Sequence, residues 1–153
     1  MRRTVYVDIP DGNNTLKFEI TQMPSTKLED WLLRALLCIG PALEMPEGSG
    51  LEDVGKALAS KGYAALAGID YGKAKPLLDE MLETASRIVD DKVKIPVRLS
   101  TIDGYMESVQ ALFRLRIECF KANLGFFLDG EQSATQGDAT TPAGSSVIRM
   151  SSR

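Results

Sequence analysis

The stretch DGYMESVQALFRLRIECFKANLGFFL, residues 103–128, decides how the rest of the chain must be read. Val109, Phe113, Ile117, Phe120, Leu124 and Phe127 recur at steps of three and four, which a period of 3.6 residues places along one side of a helix. Leu112, Leu115 and Cys119 form a second row and widen the stripe beyond a third of the circumference, so several other elements must pack on this helix. Arg114, Arg116, Glu118 and Lys121 keep a solvated edge, and Gly125 marks a close approach or a helix stop. The spacing predicts a helix over 103–128, which Ser100 or Asp103 can cap. It says nothing of chemistry.

At the N-terminus the period is two. Thr4–Ile9 and Thr15–Ile20 alternate on either side of Pro10–Asn14, a cluster of turn formers, which predicts a hairpin over 4–20. Val5, Val7 and Ile9 then share a face with Leu16, Phe18 and Ile20. Two strands alone are marginal, so that face needs a cover or a third strand. Val93–Leu99 is the candidate, confined to an edge by Pro96. After Pro24 the period becomes helical. Thr26 and Glu29 form a capping box, and Leu28, Trp31, Leu32, Ala35, Leu36 and Ile39 follow on one face of a helix over 26–39, with Trp31 as the core anchor.

Residues 42–50 read as a loop, 51–60 as a short helix, and the small-sided 63–69 as a helical turn or two. Pro76 opens a predicted helix over 76–89 that carries Leu77, Leu78, Met81, Leu82, Ala85, Ile88 and Val89. Asp79, Glu80 and Glu83 fall in its N-terminal half, where they complement the helix dipole. From Asp129 the composition turns to Gly, Ser, Thr, Ala and Gln, a flexible tail over 129–153 with one apolar island at Val147–Met150. The expectation is an α+β domain over 1–128, mainly α-helical, with the N-terminal hairpin packed on a bundle of about four helices.

At 153 residues, 44% of them hydrophobic, the chain is long enough for one domain with a real core. A net charge of −3, with 18 basic residues scattered among 21 acidic ones, gives no cationic footprint for nucleic acid. No apolar run is long enough to span a membrane and no signal segment follows Arg2 and Arg3, so neither export nor membrane insertion is expected. Cys38 and Cys119 sit inside apolar helical runs and read as buried thiols of a reducing compartment. The chain has no histidine, which removes His-based triads, His general bases and most zinc sites. It also lacks GxxxxGK[ST] and GxGxxG, leaving Gly48-Ser49-Gly50 as a lone loop signal. No catalytic residue, metal or cofactor is expected, and no enzymatic activity.

Three stretches together resemble the tail assembly chaperones of long-tailed bacteriophages: FEITQMPSTKLEDWLLRALLCIG (18–40), KPLLDEML (75–82) and FRLRIECFKANLGFF (113–127). The resemblance implies a protein that binds the phage tape measure protein, keeps it soluble and helps recruit tail tube protein. It implies work in the host cell cytoplasm and absence from the mature virion, and it is compatible with homo-oligomers. A translational frameshift often extends such proteins at the C-terminus. One departure is Asn123, where the family's last helix carries a histidine. A helical rod with apolar stripes needs an apolar groove to hold it. The candidate partner-binding residues are Met23, Met45, Phe126, Phe127 and Leu128, which could equally finish the core. The alternative function on the same elements is a structural or connector subunit of the tail.

Overall fold

A hairpin, three helices, a second hairpin and a last helix follow one another in the computed structural model, which describes residues 2–39, 50–61 and 69–127. In chain order these are β1 (Thr4–Asp11), β2 (Asn14–Thr21), α1 (Ser25–Ile39), α2 (Leu51–Lys61), α3 (Tyr71–Leu82), β3 (Ala85–Asp90), β4 (Val93–Pro96) and α4 (Val109–Leu124). The expected tail over 129–153, and the segments expected at 42–49 and 63–68, lie outside the described residues. The class is α+β. One antiparallel sheet has the order β1-β2-β3-β4, and the helices touch in the ring α1, α2, α4, α3, with α4 also against β1 and β2.

The first hairpin has the expected register: Val5, Val7 and Ile9 lie opposite Ile20, Phe18 and Leu16. Its turn is tighter than expected, because Gly12 takes φ +63° and lets two residues join Asp11 to Asn14. In α1 the first turn begins at Ser25, and the Pro24 carbonyl accepts from Leu28 N–H, so Thr26 lies inside the helix instead of capping it.

The predicted helix over 76–89 is corrected to two elements. Asp70 caps α3 by accepting from Gly72 N–H, and the helix stops at Leu82, where Thr84 donates from both its N–H and its hydroxyl to Met81 O. Residues 85–90 leave as β3, because the open edge of β2 supplies hydrogen-bond partners that a local pattern cannot reveal: Ile20 pairs with Ala85 and Phe18 with Arg87. Asp90-Asp91-Lys92 is a hairpin turn held by Lys92 N–H on Asp90 Oδ1. Val93–Pro96 is indeed an edge strand, although its neighbour is β3 and not the first hairpin. The shorter helix also moves Asp79 and Glu80 into the C-terminal half, the unfavourable end of the dipole for an anion. Cations answer them there: Lys75 and Arg116 reach Asp79 at 2.7 and 3.0 Å, and Arg34 of α1 forms a two-pronged pair with Glu80.

The predicted start of the last helix is corrected as well. Ile102–Gly104 is a single 3₁₀ turn, and α4 begins only at Val109, capped by Ser108 Oγ on Ala111 N–H. The entry is fixed from the hairpin tip, where buried Asp11 accepts from Glu107 N–H at 2.9 Å and Ser108 N–H at 2.8 Å. This places a carboxylate at the positive end of α4.

Buried side chains form two cores, and α4 belongs to both. Ala111, Leu115, Cys119 and Ala122 close over Ile9, Leu16, Phe18 and Ile20 of the sheet. Phe120 and Leu124 join Trp31, Leu32, Leu58, Leu77 and Met81 among the helices. Trp31 is the anchor expected: fully buried, edge-on to Phe120 with centroids 6.1 Å apart, and donating from Nε1 to Leu77 O at 2.9 Å.

Between the two cores lies Asn123, fully buried. Its Oδ1 accepts from Met23 N–H at 2.8 Å; its Nδ2 donates to Thr84 Oγ1 at 3.1 Å and Cys119 O at 2.8 Å; and its carbonyl accepts from Gln22 Nε2 at 3.2 Å. One amide thus ties the β2–α1 connection and the α3–β3 turn to α4. Removing it strands buried donors and acceptors, so Asn123→Ala should cost about 2–4 kcal/mol. Urea unfolding should show a lower midpoint at unchanged slope. An unchanged midpoint would remove Asn123 from this role.

Candidate interaction surface

The stripe that predicted α4 is only half covered. The row that turns to the sheet is Ala111, Leu115, Cys119 and Ala122, whose small members let helix and sheet approach closely. The row expected at the centre of the core begins in the open instead: Val109, Phe113 and Ile117 are 59%, 58% and 41% exposed. The same row then runs into Phe120 and Leu124, which α1 and α2 help to bury. The result is a continuous apolar line along one helix, bare over its first two turns and sealed over the rest.

α1 shows a second bare pair. Leu28, Trp31, Leu32 and Ala35 satisfy its inner face, while Leu33 and Leu37, one turn apart, point elsewhere and are 44% and 82% exposed. With Leu36 and Cys38 half-buried, the C-terminal half of α1 is apolar apart from Arg34.

The residues expected to bind a partner are distributed differently. Met23 is buried in the helical core, and its backbone N–H is held by Asn123. Phe127 packs against that core and occupies the space beside Gly55, where even a Cβ would overlap its ring. Met23 is thus part of the core, and Phe127 lies half-buried against it. Phe126 stacks on Phe127 with centroids 4.1 Å apart and stays 40% exposed, so it can contribute at the margin of a surface. Met45 and Leu128 lie outside the described residues. Periodicity had identified Val109, Phe113 and Ile117 as apolar; which half of the stripe remained uncovered depended on where α1 and α2 cross it.

An open cleft of about 670 Å³ lies between the β2–α1 connection and the end of α3, with Arg2, Lys27, Arg98, Asp30 and Glu83 in its lining. Its lining holds neither cysteine nor histidine. Burial pushes the Cys119 thiol up to about 12, which keeps it protonated and unreactive at neutral pH. Cys38, half-buried, is also a free thiol. The hydrogen bond from Lys94 holds the Glu19 carboxyl below its usual range, in an ion pair on the solvent face of the sheet. Among the described residues no cluster of three or more potential metal ligands occurs, and no helix is long and apolar enough to cross a membrane.

No family model, curated protein or solved structure matches the chain. The surface therefore stands on its own residues. If Phe113 and Ile117 face solvent, replacing both with Ser should move stability by no more than about 1 kcal/mol. Phe120→Ala should cost about 3–5 kcal/mol. Chemical denaturation of the two variants checks this, and a Phe113/Ile117 variant as unstable as Phe120→Ala would place that row in the core.

Proposed function

We propose that the protein is a bacteriophage tail assembly chaperone that binds the tape measure protein through the bare apolar line of α4. The observation that carries the reading is the row Val109, Phe113, Ile117, exposed at one helical step after another on a well-packed helix. A helical rod displaying its own apolar stripe can lie along such a row, burying both stripes and leaving backbone hydrogen bonds untouched. Leu33 and Leu37 offer a second strip for the same kind of partner. The resemblance in residues 18–40, 75–82 and 113–127 supports the same reading. In this reading the helices act together as the expected bundle, with the sheet as its brace. In this reading the protein works in the host cytoplasm, helps bring in tail tube protein, and leaves before the virion is complete.

Apolar burial predicts binding with a negative heat-capacity change and weak salt dependence. Co-expression should move the tape measure protein from pellet to supernatant. Phe113→Ser with Ile117→Ser should reduce that shift at unchanged fold. A tape measure protein that stays insoluble at every ratio, with this chain found in purified particles, would favour a structural tail subunit instead.

A further inference from the structure

The bare row of α4 has a second apolar run within reach on its own chain. Beyond Asp129 the large aliphatic residues are Val147, Ile148 and Met150, all within four positions that lie outside the described residues. Nineteen residues, 128–146, separate this run from Phe127, which is held against the helical core beside Gly55. A Gly- and Ser-bearing spacer of that length has a root-mean-square span of about 24 Å. Along the helix axis, Ile117 and Phe113 lie about 12 and 18 Å back from Gly125. The tether is therefore matched to the span, the condition under which its effective concentration is greatest, on the order of millimolar. Charge selects between the two bare strips. The spacer carries Asp129, Glu131 and Asp138 and no base. A return along α4 takes it past Lys121 and Arg114, both exposed, and brings Arg149 toward exposed Glu107 ahead of the helix. On α1 there is no such track: Glu29 and Asp30 stand one turn before Leu33, and the neighbouring cation Arg34 is committed to Asp30 and Glu80.

We infer that Val147–Met150 folds back onto Val109, Phe113 and Ile117 of the same chain and competes there with any partner. Three aliphatic side chains make a weak contact, and the tether is what keeps it occupied. With an intrinsic Kd of about 1 mM and a millimolar effective concentration, the row is covered about half of the time. A long apolar stripe displaces such a cover, because it gains contacts along the whole row while the tail offers only a few. The tail thus shields the row from casual apolar contacts and yields to an extended partner. The inference rests on the α4 row being an interaction surface, whichever protein that surface serves.

The test compares the full chain with its Val147→Ser, Ile148→Ser, Met150→Ser variant by amide NMR, in the absence of any partner. The amides of residues 109–117 are expected to shift between the two, equally at low and high protein concentration and at an unchanged urea midpoint. The apolar dye 8-anilinonaphthalene-1-sulfonate should bind the variant about twofold tighter. Superimposable α4 spectra overturn the inference. So do shifts confined to Leu33 and Leu37, which would place the run on α1, and shifts that fade on dilution, which would mean the tail of a second copy. The Phe113→Ser, Ile117→Ser variant separates the two readings. If it keeps its urea midpoint while the α4 spectra stay superimposable, the row is bare and only the tail contact fails; if it unfolds as early as Phe120→Ala, the row is core and both readings fall.

Discussion

The buried amide of Asn123 is the constraint on which the arrangement depends. An α+β chain of this size must seat one helix against both a sheet and other helices, and apolar contacts alone leave that helix free to slide or rotate. Asn123 removes the freedom by requiring Met23 N–H, Thr84 Oγ1 and Cys119 O at fixed directions. At the opposite end of α4, Asp11 does the same through two backbone amides. Between these anchors the helix presents Leu115 and Cys119 to one core and Phe120 to the other. The price in desolvation is met by full hydrogen bonding at both sites, which is the condition for a buried polar group to specify structure.

With α4 held in this way, its bare row is a consequence of geometry. The helices that cover Phe120 and Leu124 do not extend over Val109, Phe113 and Ile117, and the anchors prevent the helix from turning that row inward. An apolar line kept in water by structure, and not by accident of sequence, is what the proposed partner binding rests on.

The sequence made local order readable and non-local order unreadable. The first hairpin was legible down to its cross-strand partners, because alternation and a turn cluster are short-range signals. Trp31 in the core was legible for the same reason. β3 was not: Leu82, Ala85, Ile88 and Val89 keep a helical rhythm, and the decision to leave the helix rests on Thr84 and on the empty edge of β2, far away in the chain. Misplacing that boundary also reversed the meaning of Asp79 and Glu80, which face the wrong dipole end and depend on Arg34, Lys75 and Arg116. Asn123 gave no signal of its role, since an isolated amide in an apolar helix has no partner visible in the sequence. Met23 and Phe127 looked like surface candidates because they stand at the ends of elements, and packing absorbed both.

The central claim is that the polar anchors make the sheet core and the helical core one cooperative unit. Native-state hydrogen exchange across a urea series tests it directly, using amides of Phe18 and Ile20 in β2, Ala35 in α1 and Leu115 in α4. The account predicts that all four converge on the free energy of global unfolding. If the α1 amide opens at a distinctly lower free energy than those of β2, with its own urea dependence, the two cores are separate units and the claim fails.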